Sequence, residues 1–339
     1  MKSAIKLGLA ALLASTAYTA NAQEVQLRLS HWVPATHPVH EMGMADWVES
    51  IRKASEGRIE ITVYPGQQLG AAPDHYDMAR DGIADITYTN PGYQAGRFPI
   101  YGLAEIPFHG NNATDGAAAL HEWYEPIAET EMSDVYFCLI NPHDPGTIHS
   151  SSPIRVPADI EGKNIRPAHA TMARFVSLLG GNAYQVPAPE ARDAISRGIA
   201  DAITFPWNSI YIFGIDSAVN YSLDMPFYLS SQMLLFNRDV IDGLSEENRQ
   251  VIEDHCTPEW SKRFSTGWAE NEASGRQKMV DNADHEVYTP TEEEVAMWRE
   301  ASQPLIDQWR ADVEAVGGDA DELYQSYVEA LQRHNSLFE

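Results

Sequence analysis

Hydrophobic and polar positions recur with two different periods along residues 25–89. Alternation with a period of two predicts strands, and apolar positions three or four residues apart predict helices. A turn region, residues 31–38, follows the first strand, and Pro65-Gly66 ends the second. The predicted elements are, in order, a strand at Val25–Ser30, a helix at Val39–Ser55, a strand at Arg58–Tyr64, a helix at Asp74–Arg80 and a strand at Asp85–Thr89.

The same order of elements returns in the second third of the chain. A strand around Ile165 precedes, in order, a helix at Thr171–Leu179, a strand at Ala183–Val186, a helix at Pro189–Arg197 and a strand at Asp201–Thr204. Strands that alternate with helices indicate α/β sheets with parallel strands.

A four-residue phrase, Gly-Ile-Ala-Asp, occurs once in each of these regions. It spans 82–85 in the first and 198–201 in the second, and each copy lies between a predicted helix and a predicted strand. The copies are too far apart for a solenoid repeat. They predict two similar lobes. Ligands of α/β sheets bind at the carboxyl ends of strands, so a cleft between the lobes is expected to hold the ligand.

The C-terminal third is predicted to be helical, over Ser245–Val280, Glu292–Val316 and Asp321–Leu337, with Asp319 as a candidate cap of the last helix. The segment Asn141–Gly146, with two prolines and a glycine, suits a crossing between lobes. We expect one lobe from residues 23–145 and about 237–275, and the other from 146–236 and about 276–339.

Charge and composition narrow the possible partners. The 339 residues carry a formal net charge of −26, which argues against nucleic acid or an anionic membrane surface as partner. Residues 1–22 have the basic start, short apolar run and small-residue site of a secretory signal, so a periplasmic protein is expected. The two cysteines, Cys138 and Cys256, could pair or remain buried thiols.

Few residues indicate a catalytic, cofactor-binding or metal-binding function. No nucleophile or phosphate-binding motif occurs in the sequence, so no catalytic residue is predicted, and no cofactor. His31, His37 and His40 crowd one turn, but no other metal ligand follows at a recognised spacing, which favours capping or pocket-lining roles over a metal site.

Aromatic side chains follow the predicted strand ends, which suggests a pocket wall rather than core packing alone. They are Trp32, Tyr93 beside Asn90, Phe205, Trp207 and Phe227. Arg166 lies on a short strand and could hold a carboxylate through two parallel hydrogen bonds.

Several ordered blocks of the chain resemble the solute-binding subunits of tripartite ATP-independent periplasmic (TRAP) transporters. The blocks are residues 57–61, 64–70, 82–85, 106–108, 162–166, 198–201 and 244–247. The resemblance implies two α/β lobes with a hinge, a long helix that crosses both lobes, and delivery of the ligand to a membrane permease. It also implies that Arg166 grips the carboxylate of an organic acid.

Phe205 departs from the family pattern, which often has an asparagine before this proline that helps to hold the carboxylate. Pro167, after the arginine, is a second departure. Together with Trp207 they suggest a pocket that is more aromatic than usual. Such a pocket suits a ligand that is bulkier than a simple C4 acid, is aromatic or carries an amino group stacked on a ring face. The candidate ligand-binding residues are Arg166, Trp32, Asn90, Tyr93, Phe205, Trp207, His31 and Phe227.

Two other readings stay open. One is a secreted hydrolase or lyase that uses His31, Asp74 or another carboxylate in the cleft. The other is a metal- or peptide-binding receptor on the same lobes.

Overall fold

The structure is a computed structural model that describes residues 25–338, so the predicted signal segment lies outside the described residues. In chain order the strands are β1 (Val25–Ser30), β2 (Ile59–Tyr64), β3 (Ile86–Thr89), β4 (Val135–Pro142), β5 (Thr147–Ser150), β6 (Asn164–Arg166), β7 (Asn182–Ala183), β8 (Ala202–Phe205), β9 (Tyr221–Leu223), β10 (Ser231–Asn237) and β11 (Glu286–Tyr288).

The α-helices, again in chain order, are α1 (Ala45–Ala54), α2 (His75–Arg80), α3 (Ala113–Glu131), α4 (Ala170–Leu178), α5 (Ala188–Ser196), α6 (Ser209–Ile212), α7 (Arg238–Asp242), α8 (Glu246–Glu253), α9 (Pro258–Val280), α10 (Glu292–Ala315) and α11 (Ala320–Arg333). A π-helical turn, Val39–Met44, precedes α1. Within the described range, none of the helices is both long and apolar enough to span a membrane.

Two mixed sheets organise the fold. The first has the order β2-β1-β3-β10-β4 and the second β11-β9-β5-β8-β6-β7. In the first sheet, β1 pairs in parallel with β2 and β3, and in the second, β6 pairs in parallel with β7 and β8. We call each sheet with its helices a lobe. The predicted two-lobe α/β architecture is therefore confirmed.

The chain crosses from the first sheet to the second and back again. It leaves the first sheet after Pro142 and enters the second at Thr147, and it returns to the first with β10 at Ser231, where we expected about 237. We expected residues 276–339 to accompany the second lobe. Helix α10 packs on α4 there, whereas α11 packs on α3 of the first lobe.

Helix α9 is the long helix that crosses both lobes. In the first lobe, the Ser261 hydroxyl accepts a hydrogen bond from the Ile140 N–H at 3.1 Å. Further along the helix, the buried Glu272 carboxylate accepts the backbone N–H groups of Asn208 and Ser209 at 2.5 and 3.1 Å in the second lobe. These contacts fix one helix to both sheets.

The repeated phrase has the same structural role in each lobe. Gly82 and Gly198 adopt positive φ angles of 69° and 66°, which a glycine allows at the end of a helix. Asp85 then accepts the backbone N–H of Arg28 on β1 at 2.7 Å. Asp201 accepts that of Asn164 on β6 at 2.8 Å. Each copy therefore ends a helix and ties the following strand to its parallel neighbour.

Helix α3 has no counterpart among the predicted elements. It begins at the Asn112 cap, whose side chain accepts the Asp115 N–H, and it contains Pro126. Its buried residues include alanines, Trp123 and Tyr124 on several faces, because α9 and α11 both pack on it. Burial on several faces weakens the one-sided apolar pattern by which a helix is predicted.

The cysteines form a disulfide, which decides between the two alternatives that the sequence left open. Cys138 on β4 is bonded to Cys256, between α8 and α9. Both lie in the first lobe, and the loop that the bond closes contains the whole second sheet except β11.

Candidate ligand-binding site

A cavity lies between the two lobes at the carboxyl ends of β3 and β8. It holds about 370 Å³ of space not filled by atoms, the solvent at its mouth included. Its walls are mostly aromatic, with a few polar side chains. The lining residues are Trp32, His37, Asn90, Tyr93, Ser230 and Gln232 from the first lobe, His143 from the crossing segment, Arg166, Ala168, Ala188, Phe205, Pro206, Ser209, Phe213 and Tyr228 from the second lobe, and Trp268 from α9.

Arg166 lies at the end of β6 and supplies the charge of this cavity. It is 1 % exposed, and its Nε donates to the Val186 carbonyl at 3.0 Å. Its Nη2 is buried without a hydrogen-bond partner in the described part of the chain. No Asp, Glu or Lys stands among the described lining residues. A buried cation with a free donor calls for an anion.

Asn90 and Tyr93 are held in place by hydrogen bonds at the end of β3. The Asn90 Oδ1 accepts the Gly92 N–H at 2.9 Å, and its Nδ2 donates to the Ser230 hydroxyl at 3.2 Å. The Tyr93 hydroxyl accepts the Ala188 N–H of the second lobe at 3.0 Å. Burial raises the pKa of Tyr93 although the Arg166 guanidinium opposes this shift. Tyr93 is therefore neutral and bridges the lobes.

Aromatic rings enclose the space beside the guanidinium. The Arg166 Cζ lies 5.4 Å from the Phe205 ring centre, and the Phe205 and Phe213 rings are 5.4 Å apart. On the first lobe, Trp32 packs 5.8 Å from Tyr93. Its indole Nε1 is buried without a partner among the described residues. The walls offer flat apolar faces and a few hydrogen-bond donors.

The lobes also meet behind the cavity. The buried Glu105 of the first lobe accepts the Thr171 hydroxyl at 3.1 Å and lies 3.2 Å from the His169 Nδ1. Both partners belong to the start of α4 in the second lobe. A Cβ on Gly92 would collide with Glu105 and with the His169 Cβ. The absence of a side chain at Gly92 therefore permits this close approach of the lobes.

The chain matches a known family of receptors over most of its length. The family described as bacterial extracellular solute-binding protein, family 7, matches residues 29–312. The chain belongs to this family. Its structural relatives identify it further as the solute-binding subunit of a TRAP transporter.

Two solved structures and one curated relative illustrate the likeness. A TRAP solute-binding protein of Rhodoferax ferrireducens with copurified benzoate is 25 % identical, with TM-score 0.86 and coverage of 91 % of this chain and 98 % of that one. One from Bordetella bronchiseptica with bound mandelate is 27 % identical, with TM-score 0.85 and coverage of 91 % and 99 %. The ectoine-binding periplasmic protein TeaA of Halomonas elongata is 25 % identical over 83 % of this chain and 91 % of its own length.

In this solute-binding protein, five of the predicted ligand-binding residues line one cavity. They are Arg166, Trp32, Asn90, Tyr93 and Phe205. Phe205 follows the second copy of the repeated phrase and occupies the wall beside Arg166, where the family pattern led us to expect an asparagine.

Three predicted residues lie elsewhere. The Trp207 ring packs 5.2 Å from the His149 ring, and the Trp207 backbone lies close to Gly275 of α9, where the chain turns between β8 and α6. Phe227 is fully buried in the core, 6.1 Å from the Trp298 ring. The His31 Nε2 is hydrogen-bonded to the His40 Nδ1 at 2.8 Å, and His31 does not line the cavity.

The histidine turn is not arranged as a metal site. His31 and His40 contact each other, whereas His37 turns toward Trp268, with ring centres 4.9 Å apart. Over residues 25–338 there is no group of three or more His, Cys, Asp or Glu side chains that could hold a metal ion. Asp74, the carboxylate of the hydrolase reading, is not among the lining residues.

Sequence reasoning missed four aromatic or histidine side chains of the wall. His143 lies in the crossing segment, which was read only as a linker, and Trp268 lies in the middle of α9. Phe213 follows β8 at a distance that carries no strand-end signal. Tyr228 is the neighbour of Phe227, which was chosen as the strand-end residue but lies in the core. The packing of distant segments brings them together.

Proposed function

We propose that the protein captures an aromatic monocarboxylate outside the cytoplasm and delivers it to a TRAP permease. The observation that carries this proposal is the Arg166 guanidinium, which is 1 % exposed. Among residues 25–338, its Nη2 has no hydrogen-bond partner and no other charged side chain lines the cavity. A carboxylate offers two acceptors in the plane of the guanidinium and cancels the charge.

The walls favour a flat ring as the rest of the ligand. Trp32, Tyr93, Phe205 and Phe213 present ring faces or edges around the guanidinium. Aromatic pairs of this kind contribute about 0.5–1.5 kcal/mol each beyond the burial of apolar area. The relatives with benzoate and mandelate support this ligand class.

The polar atoms disfavour the amino-bearing alternative. An ammonium group stacked on a ring would add a second cation beside Arg166, and no carboxylate stands among the described lining residues to neutralise it. The amide of Asn90 and both ring nitrogens of His143 already have protein partners. The free groups that remain are mainly donors, which suit an anion that is rich in acceptors.

Closure of the two lobes follows from contacts that the ligand makes with residues of both lobes. Arg166 and Phe205 belong to the second lobe and Trp32 and Asn90 to the first. A ligand that touches both sets binds the closed state more tightly than the open state and shifts the population toward it. The permease would then receive a closed, loaded receptor.

Thermal-shift screening tests this function. We expect benzoate, phenylacetate and mandelate to raise the melting temperature, because a ligand that binds only the native state stabilises it by mass action. Succinate and glycine betaine serve as matched non-aromatic acids, one with a second carboxylate and one with a cationic end. A shift with these two and none with the aromatic acids would refute the ligand class.

A further inference from the structure

His37 carries a hydrogen-bond donor in the cavity wall that no group of the described residues accepts. Its Nδ1 accepts the Val39 N–H at 3.2 Å, so the ring hydrogen of the neutral form lies on Nε2. That Nε2 has no hydrogen-bond partner among residues 25–338, although the side chain is 1 % exposed and lines the cavity.

The ring of His37 is fixed by its neighbours. Trp268 packs on it edge to face at 4.9 Å and Phe213 at 6.0 Å. The hydrogen bond from the Val39 N–H to Nδ1 restricts the remaining rotation of the His37 ring. Burial lowers the pKa of His37 to about 3, so the ring is neutral at neutral pH and keeps a single N–H. The donor is thus held in one place before a ligand arrives.

His37 and Arg166 stand at different parts of the wall. Along it, Phe205 neighbours the guanidinium, Phe213 neighbours Phe205, and His37 neighbours Phe213. Among the described residues, no hydrogen bond or ring contact joins the histidine directly to the cation, and the Phe205 and Phe213 rings link the two. A carboxylate that pairs with Arg166 therefore leaves the His37 N–H available for a second acceptor of the ligand.

We propose that His37 selects aromatic acids that carry a second oxygen acceptor, such as a hydroxyl, methoxy or keto oxygen, in addition to the carboxylate. The inference rests on the proposed function and names the ligand more closely. A donor that stays unpaired when the lobes close loses its hydration, so an acid without this oxygen binds less tightly.

Calorimetric titration of matched acid pairs tests this proposal. Each pair compares an oxygen with a methyl group of similar size: meta-hydroxybenzoate with meta-methylbenzoate, para-hydroxybenzoate with para-methylbenzoate, and mandelate with α-methylphenylacetate. The first two pairs place the oxygen on the ring and the third places it beside the carboxylate. In at least one pair, we expect the affinity for the oxygen-bearing acid to exceed that for the methyl acid by about tenfold or more.

The variant His37→Asn isolates the donor. An asparagine oxygen at this position can still accept the N–H two residues later, as in an Asx turn, but the side chain is too short to replace the Nε2–H. We expect the preferred pair to approach equal affinity in this variant, with the methyl acid bound as by the parent protein. His40→Asn, in the same turn but outside the cavity lining, should retain the preference.

The outcomes separate this proposal from the proposed function. Equal affinities in all three pairs for the parent protein overturn the role of His37, whether or not the variant folds. A preference that survives in His37→Asn also overturns it. If no aromatic acid binds the parent protein, the proposed function falls as well, whereas Arg166-dependent binding of the methyl acids leaves that function standing.

Discussion

Removal of the Arg166 guanidinium should abolish most of the affinity for the carboxylate ligand. The side chain is 1 % exposed, Nε donates to the Val186 carbonyl, and Nη2 has no hydrogen-bond partner in the part of the chain that the structure describes. In Arg166→Ala the ligand would bury its carboxylate without a counter-charge. In Arg166→Lys a charge would remain, but without the planar fork that matches a carboxylate.

The size of this loss of affinity follows from the burial of the pair formed by the guanidinium and the ligand carboxylate. Truncation of one partner of a buried, hydrogen-bonded charge pair costs about 2–5 kcal/mol. This corresponds to a dissociation constant about 30- to 5,000-fold higher for Arg166→Ala. For Arg166→Lys we expect an intermediate loss of about tenfold or more. The ligand-free Arg166→Ala protein should melt at the same temperature or higher, because an unpaired buried cation destabilises the folded state.

Isothermal titration with benzoate or meta-hydroxybenzoate measures these losses. Arg197→Ala is the matched control, since Arg197 lies in the same lobe, is paired with Asp193 at the surface and does not line the cavity. If Arg166→Ala bound the acid as tightly as the Arg197→Ala control, Arg166 would not be the carboxylate anchor.

Three further predictions concern the scaffold of the site. Replacement of Cys138 and Cys256 by alanine opens a bond across 118 positions, which should lower the free energy of unfolding by up to about 5 kcal/mol in urea titration; a loss near zero would contradict this. Gly92→Ala should hold the lobes apart and weaken ligand binding by about 1–3 kcal/mol, whereas Gly102→Ala, with ordinary contacts, should not; equal affinities would disprove the close approach. Burial lowers the pKa of His149 to about 3, so unfolding takes up a proton between pH 6.5 and 3 and stability falls by about 1.4 kcal/mol per pH unit from this group. His149→Asn should therefore show a flatter fall of melting temperature with decreasing pH, and an unchanged slope would refute this.

Local sequence predicted the elements that carry the site because their signals are local. The period-two alternation predicted β1 and β2, and the helix periodicity predicted the helical segment from Val39 onward. The repeated Gly-Ile-Ala-Asp phrase marked two equivalent junctions, since the left-handed glycine and the strand-linking aspartate depend on neighbouring residues. Asn90 comes directly after β3 and Phe205 is the last residue of β8, the two strands that follow these junctions, and both residues line the cavity.

The sequence alone thus determined the α/β character of the lobes and the strand ends that face the cleft, and through family resemblance it predicted Arg166 as the carboxylate anchor. Only the tertiary structure decided which side chains share the cavity. It excluded Trp207, His31 and Phe227 from the wall and added His143, Phe213, Tyr228 and Trp268. Of the three histidines in the turn at residues 31–40, it placed only His37 in the wall. It also joined Cys138 to Cys256. The physical reason is that wall and disulfide depend on how segments far apart in the chain pack, and a local pattern carries no record of that packing.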